Sequence, residues 1–150
     1  MSGITLLIQD TRWRTHRGLQ ARLKTAAEAA RKAGKLKGDF TILLTNDKAL
    51  RALNRAFRGK DKPTNVLSFN GAGAMPDGRY FLGELVICAP VVAREALTQG
   101  KTLESHWAHM TVHGVLHLLG FDHERRGEAA KMEAREIQML DRLGFLDPYR

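Results

Sequence analysis

Three histidines towards the end of the chain have the spacing of a metal site. His113, His117 and His123 stand as H-x3-H-x5-H in the stretch TVHGVLHLLGFDHE, residues 111–124. Residues four apart in a helix lie one turn apart on nearly the same face, so His113 and His117 would project side by side. Gly120 can take the left-handed backbone that ends a helix and allows His123 to face the pair. Neutral imidazoles suit zinc, and three protein ligands leave the fourth coordination position open, which is typical of catalysis.

The helix that carries the first two of these residues contains a longer stripe of histidines. His106 and His109 precede His113 and His117 at steps of three and four residues, so all four lie along one side. The alternative to a metal site is a set of core histidines with hydrogen-bonded rings. A stripe this polar is unusual in a core unless it binds something. We therefore expect His113, His117 and His123 to bind a metal, and His106 and His109 to line the cleft or to bond to backbone.

The residue after the first histidine of the motif argues against a protease. The spacing matches the zinc-protease pattern H-E-x-x-H-x-x-G-x-x-H, in which the glutamate acts as general base. This chain has Gly114 at that position, and we expect its backbone to let another element pack closely. The nearest acidic residue is Asp122. Its structural role would be to cap the last helix, with Glu124 in the first turn, and the alternative is a hydrogen bond to a ligand histidine.

The charge of the chain suggests a polyanionic partner. The formal net charge is +8, and residues 12–37 hold nine basic residues against one acidic residue. Residues 47–62 add six basic residues against two acidic ones. Basic surface steers nucleic acid and gains affinity by releasing counterions, although a merely solubilising surface is the alternative. A phosphodiester substrate would also suit zinc, and the guanidinium of Arg58, placed between a helix and a strand, could neutralise charge on the phosphate.

The hydrophobic pattern predicts an α+β fold. Strands and helices do not alternate strictly, which favours a single domain, residues 1–150, with a small mixed sheet of about four strands packed against about five helices. Predicted strands cover residues 4–10, 39–45, 64–69 and 80–88, and a Gly-, Pro- and Asp-rich turn covers 70–79. Predicted helices cover 15–34, 46–59, Pro90 to about Gln99, about Leu103 to Leu119 and about Glu124 to Leu143. Asn46 is the expected N-cap of the second helix, and Gly59 its expected end.

The composition fits a cytoplasmic protein without a membrane segment. The apolar run near the N-terminus, ITLLI, is five residues long and is followed by arginines, so we expect neither a signal peptide nor an anchor. Cys88 is the single cysteine, which fits a reducing compartment. We expect it to be a small core residue at the end of a strand.

Two motifs together resemble those of the YbeY family of metal-dependent endoribonucleases, which act in ribosomal RNA maturation. They are RGKDKPTNVLSF, residues 58–69, and HGVLHLLGFDH, residues 113–123, with LGELVIC between them. The likeness extends over essentially the whole chain. Glu84 stands where many relatives have aspartate, and Asn70 stands where proline is common, but neither position belongs to the predicted metal site.

By this resemblance the chain would cut single-stranded RNA in the cytoplasm, help to form the 3′ end of 16S rRNA and take part in ribosome quality control. The zinc ligands of the family correspond to His113, His117 and His123, with one zinc ion per chain, and its functionally important arginine corresponds to Arg58. The partners would be rRNA and the small ribosomal subunit, with ribosomal proteins or a GTPase as further assembly partners.

Our hypothesis is a zinc-dependent endoribonuclease specific for single strands, in which Arg58, His113 and His117 are catalytic. Arg58 would contact the scissile phosphate and would bind RNA together with four neighbouring basic residues, Arg51, Arg55, Lys60 and Lys62. The nucleophile stays open between water and the 2′-hydroxyl of the RNA. The alternatives are a non-catalytic ribosome assembly factor with a structural zinc site and, disfavoured by Gly114, a metalloprotease.

Overall fold

A four-stranded mixed sheet with five helices is formed by the residues that the computed structural model describes, which are 4–9, 17–33, 38–118, 120 and 127–149. The strands are β1 (Ile4–Ile8), β2 (Asp39–Thr45), β3 (Val66–Ala74) and β4 (Tyr80–Cys88). The helices are α1 (Arg17–Ala33), α2 (Asp47–Arg58), α3 (Ala89–Gln99), α4 (Leu103–Leu118) and α5 (Glu128–Arg142). The predicted α+β fold is confirmed. No helix within these ranges combines the length and the apolar character needed to cross a membrane.

The sheet has the strand order β1-β2-β4-β3, which makes β3 an edge strand. β2 pairs in parallel with both β1 and β4, whereas β3 and β4 form an antiparallel hairpin. The two inner strands supply much of the core, and Phe40, Ile42, Leu85 and Ile87 are all buried. Within the described residues no strand covers the outer side of β3, and the candidate site lies along this edge.

The β3–β4 hairpin is longer than predicted. β3 continues to Ala74, whereas the sequence predicted its end at Phe69 and a turn over residues 70–79. The pairing with β4 resumes after a bulge between Asn70 and Gly73. The prediction was wrong because the glycines that suggested a turn instead allow the two backbones to approach closely at the bulge.

The helix α2 begins and ends where its capping residues predict. Asn46 accepts a hydrogen bond from the Ala49 amide at 2.9 Å, and Gly59 ends the helix with a left-handed backbone at φ 69°. Leu50 is buried in a cluster with residues of β3 and β4, which fixes the helix on the sheet. Arg58 is therefore held as the last residue of a well-defined helix.

The helix α4 packs closely against the sheet at Gly114. A Cβ at this position would lie 2.9 Å from Leu85 Cδ2 and 3.3 Å from Val66 Cγ2, closer than packed atoms normally approach. The Gly114 carbonyl also accepts a hydrogen bond from Ser68 Oγ at 3.0 Å. The close packing expected at this glycine is confirmed. It leaves no room for the glutamate that a zinc protease carries at the same position.

Gly120 ends α4 as predicted. Its backbone is left-handed, with φ 95°, and its amide donates to the His117 carbonyl at 3.0 Å. The helix α5 begins at Glu128. The helix start predicted near Glu124 and the roles considered for Asp122 lie outside the described residues.

Cys88 is buried at the end of β4, as predicted. Its thiol donates to Asp47 Oδ1 at 3.1 Å. Burial is the largest cause that raises the pKa of this thiol to about 12, and the Asp47 carboxylate adds to it. The thiol is therefore protonated at neutral pH and is a structural core group.

Candidate active site

His113 and His117 bring their Nε2 atoms together at the edge of the sheet. The two atoms are 3.1 Å apart, and the ring centroids are 4.7 Å apart with the planes at 76°. The side chains meet because they are one helical turn apart on α4. Both are partly exposed. His123 lies outside the described residues, so its position relative to the pair stays a prediction.

A buried carboxylate on α5 determines the tautomer of His113. Glu136 Oε1 is hydrogen-bonded to His113 Nδ1, and a carboxylate can only accept. Neutral His113 therefore carries its proton on Nδ1 and turns the lone pair of Nε2 towards His117. A metal-binding histidine typically donates its other N–H to a carboxylate in this way. In donor type and orientation, the histidine pair fits a metal ion such as zinc.

Three donors keep Glu136 ionised although it is fully buried. It accepts hydrogen bonds from His109 Nε2 at 2.8 Å, from His113 Nδ1 and from the Tyr149 hydroxyl. Burial alone would raise the pKa of this carboxyl, but the hydrogen bonds, chiefly from the two histidines, outweigh burial and lower the pKa to about 2. Burial and the same carboxylate raise the pKa of the Tyr149 hydroxyl. The network therefore places a fixed negative charge behind His113.

The same network offers a second place where a metal could bind. Ligand atoms of His109, His113 and Glu136 all lie within 4.8 Å of one another. These groups are already joined by direct hydrogen bonds, and an ion among them would have to replace both bonds. His113 and His117 instead line an open cavity with their Nε2 atoms already close together. The histidine pair is therefore the better ligand set, and Glu136 is its support.

His106 and His109 have partners that differ from the predicted ones. We expected them to line the cleft or to bond to backbone, but both are buried and bind carboxylates. His106 Nε2 lies 2.9 Å from Glu95 Oε1 on α3, and His109 binds Glu136 on α5. Burial opposes ionisation of Glu95, but hydrogen bonds from His106 and from Asn65 lower its pKa. The prediction was wrong because these carboxylates come from helices that pack beside α4.

Three of the predicted RNA-binding residues share a cavity with the histidine pair. The cavity has a volume of about 610 Å³ and runs along the first half of β3. Its ionisable lining residues are Arg58, Lys60, Lys62, His113 and His117. The polar lining residues are Asn54, Thr64, Asn65, Ser68 and Asn70. Because the described lining residues include no carboxylate, the cavity suits an anion.

Arg51 and Arg55 lie away from this cavity. They line a separate one of about 600 Å³, together with Lys48 and Asp61. Arg51 donates to the Asp61 carboxylate from Nε at 2.8 Å and from Nη2 at 3.0 Å. This pair of hydrogen bonds raises the pKa of Arg51 and lowers that of Asp61. The structure does not bring Arg51 and Arg55 together with the histidines, and their binding of RNA stays a prediction.

Two residues that organise the site were missed in the sequence. Glu136 lies on the buried side of α5 with Met132 and Met139, and a charged residue on an apolar stripe is a signal of a buried partner. Asn54 is buried in α2 and donates from Nδ2 to the Lys62 carbonyl at 2.8 Å. Asn54 thereby holds the loop that carries the two lysines of the cavity.

The chain matches known proteins over most of its length. The family model described as Endoribonuclease YbeY matches residues 8–144. The Endoribonuclease YbeY of Halorhodospira halophila (strain DSM 244 / SL1) is 53% identical over 116 residues, with 75% of each chain covered. The solution structure of TM1509 from Thermotoga maritima has a TM-score of 0.62 and 26% sequence identity, and the match covers 92% of this chain and 87% of that one. The chain therefore belongs to the YbeY family.

Proposed function

We propose that this chain is a zinc-dependent endoribonuclease that cleaves single-stranded RNA and acts in the maturation of the 3′ end of 16S rRNA. The observation that carries the proposal is the cavity that Arg58, Lys60 and Lys62 share with His113 and His117. A metal-binding pair next to three cations suits a phosphodiester better than a peptide. Membership of the YbeY family supports the same class of reaction.

One zinc ion per chain would be held by His113, His117 and His123. When bound, zinc supplies Lewis acidity that polarises a phosphoryl oxygen. The contribution of the protein is to keep His113 in the tautomer whose Nε2 can bind the ion, through the hydrogen bond from Nδ1 to Glu136. The negative charge of Glu136 also offsets part of the positive charge gathered in the site.

Arg58 would bind the scissile phosphate. Its guanidinium can donate two parallel hydrogen bonds to phosphate oxygens, which become more negative as the reaction proceeds. Lys60 and Lys62 lie in the loop that Asn54 holds, so they would bind neighbouring phosphates of the strand. The nucleophile is either water or the 2′-hydroxyl of the RNA, and a 2′,3′-cyclic phosphate on the product would exclude direct attack by water.

An open basic cavity favours single strands as substrates. A flexible strand can turn its phosphates and bases towards the protein, whereas the bases of a duplex are hidden in the stack. In the cell the substrate would be rRNA of the small ribosomal subunit, in the cytoplasm, with ribosomal proteins or a GTPase as assembly partners and with a role in ribosome quality control. One domain, residues 1–150, would carry the activity, and Arg51 and Arg55 would contact RNA outside the cavity.

Cleavage of a fluorescent single-stranded RNA by identically purified proteins tests this function. Arg58→Ala and His113→Ala should each lower the cleavage rate by at least about 100-fold, with circular dichroism showing that both are folded. Arg142→Ala is the matched control because it removes one exposed positive charge at the end of α5, and it should cleave like the wild type.

The alternatives predict other outcomes of the same experiment. Equal cleavage by all four proteins would mean a contaminating nuclease, and no cleavage by any of them would favour a non-catalytic assembly factor. A structural zinc site would in addition cause His113→Ala to unfold. Chelator-sensitive cleavage of an unfolded protein substrate would favour a metalloprotease, against the packing at Gly114.

A further inference from the structure

Phe57, the chain neighbour of the cavity residue Arg58, presents an aromatic ring to solvent. Its side chain is 67% exposed, although a phenylalanine ring can offer water no hydrogen bond. It is the penultimate residue of α2, directly before Arg58. Exposed aromatic residues beside phosphate-binding cations are typical of proteins that bind single-stranded nucleic acid.

A second aromatic residue holds the ring of Phe57 in place. The centroids of Phe57 and Phe69 are 5.2 Å apart and the planes meet at 71°, which is an edge-to-face contact. Phe69 in turn packs against the buried cluster that contains Leu67 and Val86. The ring of Phe57 is therefore supported from the protein side, while most of its surface remains open.

Both aromatic residues are chain neighbours of residues that line the cavity, although neither ring lines it. On α2, Arg58 follows Phe57 and lines the cavity. On β3, Ser68 and Asn70 flank Phe69 and line the cavity, and because side chains alternate along a strand, the ring of Phe69 lies on the other face, where α2 packs. Because Phe57 and Arg58 are the last two residues of α2, an RNA strand whose phosphate is bound at Arg58 and that continues over the end of this helix would reach the ring of Phe57.

We propose that Phe57 is a stacking platform for the nucleobase next to the phosphate that Arg58 binds. This inference rests on the proposed function and names a base-binding subsite for the same cavity. Every base has a flat aromatic face, so the subsite accepts any of the four. In a duplex both faces of a base are covered by its neighbours, so only a single-stranded or splayed nucleotide reaches the ring. Phe57 thus adds a base contact that only single strands can make to the preference of the open cavity.

Single-turnover cleavage with protein in excess over a fluorescent single-stranded RNA separates binding from chemistry. Phe57→Ala should raise the protein concentration for half-maximal cleavage by about 5- to 100-fold while the maximal rate stays nearly unchanged. Phe57→Trp should restore binding because indole also stacks. Phe57→Leu is the matched control that keeps apolar bulk without an aromatic face, and it should behave like the alanine variant. An unaffected alanine variant, or full binding by the leucine variant, would overturn the inference.

Substrates with one abasic nucleotide locate the contact on the RNA. In the wild type, loss of the base next to the scissile phosphate should weaken binding by the same factor as Phe57→Ala, and the two changes together should weaken it no further. If the loss of binding from Phe57→Ala and the loss from an abasic nucleotide multiply wherever that nucleotide is placed, the stacking contact is refuted. A wild type that cleaves no RNA would refute the proposed function, whereas normal cleavage by the wild type and Phe57→Ala alike would refute the stacking platform alone.

Discussion

Replacing Glu136 by glutamine would test the support of the histidine pair without changing the size of the side chain. Both oxygens of Glu136 accept hydrogen bonds, Oε1 from His113 and Oε2 from His109 and Tyr149. Glutamine has one acceptor oxygen and an NH2 group that can only donate. The NH2 group would therefore either face another donor inside a fully buried contact or force the facing histidine into its other tautomer.

The expected loss in the free energy of unfolding is about 3 kcal/mol at pH 7. The Glu136 pKa of about 2, against an ordinary value of 4.5, corresponds to roughly 3 kcal/mol in favour of the charged form in the folded protein. Glutamine resembles the neutral form and should lose most of this. The hydrogen bonds lead to a similar figure, because a buried unsatisfied donor costs about 1–3 kcal/mol. Zinc affinity should fall by about 10- to 100-fold, because His113 loses the carboxylate that fixes its Nδ1 proton.

Denaturant titration of chelator-treated protein would measure the first effect, and competition with a fluorescent zinc chelator would measure the second. Glu133→Gln is the matched control, since Glu133 is exposed on the same helix and its replacement should change the unfolding free energy by less than about 0.5 kcal/mol. Unchanged stability of Glu136→Gln would refute the buried network. Lower stability with unchanged zinc affinity would refute the support of His113 and leave Glu136 with a structural role.

Gly114→Ala should lower the free energy of unfolding by about 1–3 kcal/mol in denaturant titrations, because the new Cβ would lie 2.9 Å from Leu85 Cδ2. Cys88 should react with iodoacetamide at pH 8 far more slowly in the folded than in the unfolded protein, because burial raises its pKa to about 12. Glu95→Gln should destabilise the protein at pH 7. Burial opposes the ionisation of Glu95, but hydrogen bonds, chiefly from His106, outweigh it and lower the Glu95 pKa. The ionised carboxylate therefore stabilises the folded protein above the ordinary carboxyl pKa, and the difference in unfolding free energy between the wild type and Glu95→Gln should shrink as the pH falls.

Gly18→Ala is the matched control for Gly114→Ala, and each of the three predictions has an outcome that would contradict it. Among the described residues, and apart from its chain neighbours and the backbone of its own helix, nothing lies within 4 Å of a Cβ built on Gly18, so Gly18→Ala should be neutral or stabilising by up to about 1 kcal/mol. Equal destabilisation at Gly18 and Gly114 would contradict the packing argument. Rapid alkylation of Cys88 in the folded protein would contradict its burial. For Glu95→Gln, a difference from the wild type that grows as the pH falls would contradict the direction of the pKa shift.

Features that depend on neighbours in the sequence were predictable. Asn46 and Gly59 cap α2 as predicted, because capping uses hydrogen bonds within one helical turn. The meeting of His113 and His117 follows from helical periodicity alone. Gly114 was predicted to allow close packing, and the absence of a side chain was sufficient signal for that.

Features that depend on distant segments were not predictable. Glu136 is 23 residues from His113 in the chain, and no local pattern pairs the two. The end of β3 is determined by its pairing with β4, which the glycines of the hairpin concealed. Arg51 and Arg58 lie on the same helix, but Arg51 is bound by Asp61 from the following loop, and the sequence does not show how that loop folds back.

Removal and return of zinc, followed on one sample by metal analysis and RNA cleavage, tests most directly whether a metal at His113 and His117 makes the cavity a nuclease. We expect the cleavage rate to fall in proportion to the zinc content on chelation and to recover when one zinc ion per chain is restored. His117→Ala should not recover, and circular dichroism should show folded protein throughout. Cleavage at the full rate after the metal has been removed would contradict a metal-dependent reaction at this site.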